Sequence, residues 1–120
     1  MYEIDDDEKV QIAGWLRARN LPVPTSWPAE GRIVPGVAAG FLVMTDCSVG
    51  ILDFFVSNPE ASRSERDKAL DEIAQELIGR AYVRGCGTIR CNSQLDTIVR
   101  RARRLGFREL GTFTALQKEL

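Results

Sequence analysis

Three groups of side chains in this 120-residue sequence could do chemistry. Asp53 is a lone carboxylate inside the apolar run "ILDFFV". Strand alternation puts it on one face with Ile51 and Phe55. A carboxylate among such neighbours is expected to have a raised pKa, which suits a base near neutral pH. The alternative is an aspartate that caps a bulge or pairs with an arginine. Arg63, Arg66 and Lys68 come next, in "SNPEASRSERDKALDEI", where a strand hands over to a helix. Such a junction often holds a phosphate. This one has no glycine, so a phosphate would be kept off the backbone and side-chain charge would have to hold it. The third group is Cys47, Cys86 and Cys91. They are odd in number and form no C-x-x-C pair, so they read as reduced thiols of an intracellular protein. Cys91 lacks an activating base and reads as a small core residue.

The residue types that are missing narrow the chemistry further. The chain has no histidine, which excludes Ser-His-Asp and Cys-His mechanisms and argues against a zinc or non-haem iron site. No apolar run approaches the roughly 20 residues that span a bilayer. The acidic start "MYEIDDDEKV" has no apolar signal core, so a cytoplasmic protein with no membrane partner is expected. Net charge is −1, but its distribution is uneven. Residues 1–60 carry 4 basic and 9 acidic side chains, and residues 61–120 carry 12 and 8. That bias fits either an anionic ligand near the C-terminal half or two arginine-rich, solvated helix faces. No aromatic residues interleave the arginines near the C-terminus, so nucleic acid is not an expected partner.

The elements that must position these groups follow from periodicity. Asp5 to Arg19 reads as a helix, with Val10, Ala13 and Leu16 at helical spacing and Ile12 and Trp15 beside them. Trp15 is assigned to the core. The prolines at 22, 24, 28 and 35 bar a helix in residues 21–36, which are expected to be a loop, with Trp27 a candidate cleft residue. "VAAGFLVMT" and "VGILDFFV" are two antiparallel strands joined at Asp46-Cys47-Ser48, apolar enough to be covered on both faces. A long helix takes over near Arg66, with Ser64 and Asp67 as a capping box. Its inner stripe is Leu70, Ile73, Ala74, Leu77, Ile78 and Ala81, and Gly85 and Gly87 end it. "TIRCN" is a short strand. "SQLDTIVRRARRLGF" is a second amphipathic helix with Ser93 and Asp96 at its start. Leu95, Ile98, Val99 and Ala102 face inward, Arg100, Arg101, Arg103 and Arg104 face outward, and Gly106 is the stop. "FRELGTFTALQKEL" reads as one or two closing strands. The expected fold is a single α/β domain with a mixed sheet, in the order helix, strand, strand, helix, strand, helix, strand(s).

That order, the strand "ILDFFV" and the "LGF" closing the second long helix resemble the Gcn5-related N-acetyltransferase fold over roughly residues 33–120. The short length and the run "FFVSNPEASRSERDKALDEI" are also similar to a divergent branch of this fold often carried by bacteriophages. The resemblance implies acetyl-CoA as cofactor, an amine as acceptor and transfer by direct attack on the thioester. It implies that backbone groups of Phe55, Val56 and Ser57 hold the pantetheine arm and that Arg63, Arg66 and Lys68 meet the phosphates. It implies Asp53 as general base and Asn92, after "TIRC", as a second catalytic position. The family's glycine-rich phosphate turn, Q/R-x-x-G-x-G/A, has no counterpart here: its glycine positions fall on Lys68 and Leu70, or on Arg66 and Lys68. The family's helix tyrosine, four residues before the glycine of "GF", is Ala102. Those two departures sustain the alternative of a catalytically silent module that uses this fold to bind a protein partner.

Overall fold

A computed structural model describes residues 1–93 and 96–120. Helix α1 (Asp6–Ala18) starts at a capping box in which the Asp5 carboxylate accepts from Glu8 N while Glu8 accepts from Asp5 N. Three acidic side chains in its first turn and Arg17 in its last complement the helix dipole. Strands β1 (Glu30–Val34), β2 (Ala38–Met44) and β3 (Val49–Ser57) form an antiparallel meander. Helix α2 (Arg63–Val83) then crosses to β4 (Thr88–Arg90), which pairs parallel with β3, and α3 (Asp96–Arg104) follows. The sheet order is β1-β2-β3-β4.

Both faces of the sheet are covered, as the continuous apolar strands require. On one face, Ile12, Trp15 and Leu16 of α1 pack with Ile33, Ala39, Phe41 and Val56. On the other, Ala69, Ile73, Leu77 and Ala81 of α2 pack with Ala38, Leu42 and Leu52, with Leu70 and Ile78 partly buried at the margin. The inner stripe expected for α2 is therefore the packed one, and Ala69 extends it. Val10 departs from the expected face of α1 and is exposed.

The fold class is the expected mixed α/β sheet, but three elements differ from the sequence reading. Residues 30–34 form strand β1 inside what was expected to be loop. The prolines flank this strand rather than interrupt it, and Pro35-Gly36 makes the turn into β2. Gly36 has φ +71° and Val37 N donates to Val34 O at 3.0 Å, the pattern of a Pro-Gly type II turn. Helix α2 begins at Arg63, capped by Ser62 and Glu65 rather than Ser64 and Asp67. Past Phe107 the expected closing strands are not formed. Strand β4 is three residues long, too short an edge to template them. Leu95, expected on the inner face of α3, lies outside the described residues.

The helix ends follow one rule. At the end of α2, Cys86 N donates to Ala81 O and Gly85 N to Tyr82 O; at the end of α3, Phe107 N donates to Ala102 O and Gly106 N to Arg103 O. Gly85 and Gly106 carry the positive φ that this Schellman closure needs. Asn20 does the same after α1, with φ 55°. Among the described residues no helix is long and apolar enough to cross a membrane.

Candidate functional site

The β2–β3 ladder contains one irregularity, and it sits beside Asp53. Ala39 pairs with Val56 and Phe41 with Asp53. Two steps on β2 thus match three on β3, so β3 carries one extra residue. Phe54 absorbs it at φ +52°, the signature of a β-bulge. The bulge swaps the faces: Phe54 and Val56 join the α1 side, and Phe55 joins Leu52 on the α2 side. Gly40 is opposite, where a Cβ would come 2.6 Å from the Phe55 ring. That close approach is why the position holds a glycine.

The bulge also overturns the alternation argument for Asp53. Phe55 is turned to the other side, and the Asp53 carboxylate is exposed rather than set among apolar neighbours. Its Oδ1 accepts from Phe54 N at 2.8 Å, so it caps the bulge, the role weighed as the alternative.

Strand β4 pairs with β3 over three rungs, Val49↔Thr88, Gly50↔Ile89 and Ile51↔Arg90. The pairing ends at Ile51↔Arg90, and no described strand pairs with residues 52–57 on that side, so the hydrogen-bonded ladder forks here. Asp53 and Asn92 each stand two residues past the last rung, one on each arm of the fork. Both are exposed. The sequence proposed them for separate reasons; the register sets them at equal steps past the last paired rung. Cys91, beside Asn92, is partly buried, and burial pushes its thiol pKa up. That disfavours the reactive thiolate.

Ser57, at the end of β3, is buried. Arg19, at the C-terminal end of α1, donates through Nε to Ser57 O at 3.0 Å and through Nη2 to Ser57 Oγ at 2.9 Å. Of the backbone groups of Phe55, Val56 and Ser57 expected to hold a pantetheine arm, the Ser57 carbonyl thus already accepts from Arg19. In the sequence Arg19 marks only the end of the first helix. Asn58 then fixes the following loop: its N donates to Val37 O at 2.7 Å, its Nδ2 to Gly36 O at 2.9 Å, and its Oδ1 accepts from Glu60 N.

The three loop cations separate. Arg63 lines a cleft of about 430 Å³ with Asp67, Thr97, Arg100, Arg103 and Arg104. Arg66 turns back to Pro59 O at 3.4 Å. Lys68 is exposed and does not line the cleft. The start of α2 carries its own anion: Glu65 Oε1 accepts from Ser62 Oγ at 2.8 Å and from Ser62 N at 3.3 Å.

The α3 arginines also divide. Arg100, Arg103 and Arg104 are exposed, as expected. Arg101 is not on the outer face: its side chain is 12% exposed and grips α2, bonding Asp71 Oδ1 at 2.7 Å, Asp67 Oδ1 at 3.0 Å and Asp67 O at 2.9 Å. The spacing of Asp67 and Asp71, one helical turn apart, was the available signal for that grip.

A second arginine cluster sits at the β1 edge. Glu30, with 9% of its side chain exposed, accepts from Arg80 Nε at 2.6 Å and Arg84 Nη1 at 2.7 Å. Arg32 lies 3.6 Å from Glu30 and 3.7 Å from Glu76. Burial opposes ionisation of Glu30, but the hydrogen bonds from Arg80 and Arg84 outweigh it and hold its pKa below the ordinary value. Trp27 lines a cleft of about 260 Å³ here, at the opposite edge of the sheet from the fork. Its ring stacks on Phe41 at 5.2 Å, and Phe41 meets Phe54 edge-on at 6.4 Å.

No protein-family model matches the sequence, and no curated protein matches it. Solved structures do. An acetyltransferase of Trypanosoma brucei superposes with a TM-score of 0.71 at 14% identity, covering 98% of this chain and 97% of that one. An aminoglycoside 6′-N-acetyltransferase of Acinetobacter haemolyticus gives 0.57 at 14%, covering 99% and 97%. The glucosamine-6-phosphate N-acetyltransferase of Arabidopsis thaliana gives 0.54 at 12%, covering 69% and 58%. At these identities the likeness establishes the fold of the chain, which is that of the acetyltransferases.

Proposed function

We propose that this chain is an acetyl-CoA-dependent N-acetyltransferase-like protein that acts on an amine. The observation that carries the reading is the fork between β3 and β4 at the Phe54 bulge, on a fold shared with acetyltransferases. The fork leaves the β3 edge from Phe55 to Val56 open to backbone hydrogen bonding, so an extended acyl-pantetheine arm would lie along it as a short extra strand. Bound there, acetyl-CoA supplies an activated acyl thioester.

The chain's own groups then have distinct tasks. Asp53, exposed and held by Phe54 N, takes a proton from the incoming ammonium, directly or through water. The freed amine attacks the thioester carbonyl carbon, its C–N bond forms, the C–S bond breaks, and the second proton the nitrogen must lose passes to water. Asn92, on the other arm, orients the carbonyl or the amine. The position of the family tyrosine is Ala102, so the departing thiolate takes its proton from water. Arg63, with Arg66 and Lys68 behind it, supplies positive charge for the phosphates. The three unpaired cysteines fit a reducing compartment and support a cytoplasmic location.

The test has two readouts. Millimolar acetyl-CoA is expected to raise the melting temperature, because binding to the folded state stabilises it by mass action. Mass spectrometry of a panel of amines incubated with acetyl-CoA and protein is expected to show a mono-acetylated product that disappears in Asp53→Asn. No thermal shift would overturn the reading. It would leave the second reading, a silent module that binds a protein partner. That reading draws on the exposed Tyr82, Val83, Phe113, Leu116 and Leu120, apolar side chains that a partner would cover.

A further inference from the structure

The start of α2 would ordinarily be the anion-binding element of a strand–turn–helix unit. Here it is filled from within. Ser62 Oγ caps Glu65 N, and the Glu65 carboxylate returns to Ser62 N and Oγ. A phosphate approaching the helix end would therefore meet a carboxylate already placed there, as well as side chains in place of glycine. Beside that end, between α2 and α3, lies the open 430 Å³ cleft. Its lining carries four arginines against one acid, Asp67, and that acid is already bonded to Arg101. Arg103 reaches Glu109 at 2.9 Å and Arg104 reaches Asp71 at 3.5 Å, but all four side chains are solvent-accessible, so these pairs can yield to a stronger anion. Arg63 has no carboxylate partner among the described residues.

We propose that phosphate recognition has moved from the backbone of the α2 helix end to this arginine cleft, and that Arg63, Arg103 and Arg104 make the protein selective for a nucleotide bearing an additional terminal phosphate. This rests on the acetyl-CoA reading above, for which the additional group is the ribose 3′-phosphate of coenzyme A. A phosphate monoester carries close to two charges near neutral pH and accepts several hydrogen bonds, the chemistry that guanidinium forks match best. Arg101, by tying α3 to Asp67 and Asp71, is a positioning residue that holds the cleft walls together.

The experiment is calorimetric titration of three ligands, acetyl-CoA, its 3′-dephospho form and adenosine 3′,5′-bisphosphate, into the full chain and two variants. In the parent, removing the 3′-phosphate is expected to weaken binding by roughly tenfold or more, the value of a charge-assisted contact. Arg103→Ala/Arg104→Ala, both at exposed positions, is expected to bind the two coenzyme forms with equal, weakened affinity, a loss of discrimination that general instability would not produce. Glu65→Gln keeps the reach back to Ser62 N but removes the charge, and is expected to tighten binding by about two- to fivefold. Equal affinity of the parent for both coenzyme forms would overturn the inference and leave the acetyltransferase reading intact. Binding of the bisphosphate but not of acetyl-CoA would sustain the cleft and overturn that reading. Binding of neither would overturn both. Unchanged or weaker binding by Glu65→Gln would overturn the displacement from the helix end.

Discussion

The protein has two arginine-rich regions, at opposite ends of α2, and they are built on opposite principles. At the C-terminal end, Arg80, Arg84 and Arg32 converge on Glu30, a carboxylate that strand β1 delivers to the sheet edge. At the N-terminal end, α3 brings Arg103 and Arg104 beside Arg63, and the nearby carboxylates of Asp67 and Asp71 are held by Arg101. The first region satisfies its charges internally with a nearly buried acid. The second keeps an exposed cationic surface. The residue type is the same; what separates the two regions is whether the counter-ion is nearly buried, as Glu30 is, or exposed, as Glu109 is beside Arg103.

The largest expected effect falls on the helix that carries both regions. Leu77 is fully buried, and Leu77→Ala is expected to cost about 2–5 kcal/mol in chemical denaturation, loosening both ends of α2. A near-neutral result would mean that the two regions are held independently of this packing.

Next is Glu30→Ala. It leaves Arg32, with 10% of its side chain exposed, beside an empty position. Breaking a buried pair costs several kcal/mol, but Arg80 and Arg84 can turn to water, so about 2–3 kcal/mol is expected. This contribution has a defined pH dependence. The folded-state pKa of Glu30 lies below its ordinary value of 4.5, so the stabilisation is complete above that pH and is lost as pH falls through the folded pKa. The stability gap between parent and Glu30→Gln is therefore expected to narrow below about pH 4.5. A gap that widened in acid would refute the assignment of Glu30 as the charged hub.

Arg101→Ala should act locally. It is expected to cost about 1.5 kcal/mol and to lower hydrogen-exchange protection in α3 while the sheet stays protected. Equal loss of protection in the sheet would show that α3 docking is part of the global core. The smallest stability effect belongs to Arg103→Ala/Arg104→Ala, expected within about 0.5 kcal/mol of the parent. A cost as large as that of Glu30→Ala would erase the contrast between the two regions and mark the cleft arginines as structural.

Much of the local structure was legible because it depends on near neighbours in sequence. The α2 stripe, the glycine stops at 85 and 106 and the hairpin at Asp46-Ser48 are set by side-chain periodicity and by φ angles that few residues adopt. The Pro-Gly turn at 35–36 belonged to the same class, and β1 was lost by reading its prolines as loop rather than as the borders of a strand. The cap of α2 was misplaced by two residues, since Ser62/Glu65 and Ser64/Asp67 offer the same spacing and the choice depends on where Asn58 anchors the loop.

The candidate site was legible in residue type and not in arrangement. Which residues could do chemistry, the absence of histidine, the missing turn glycines and the fold class were determined by the sequence itself, because they follow from composition and short-range pattern. Tertiary structure alone decided the bulge at Phe54, which depends on the register between β2 and β3 and which turns Phe55 away from the face of Asp53. It decided the fork that sets Asp53 and Asn92 on opposite arms. It decided which arginines find carboxylates, since Glu30 lies 50 residues from Arg80 and Asp71 lies 30 from Arg101. Charge pairing at that separation is a property of the folded surface, where distance in space replaces distance along the chain.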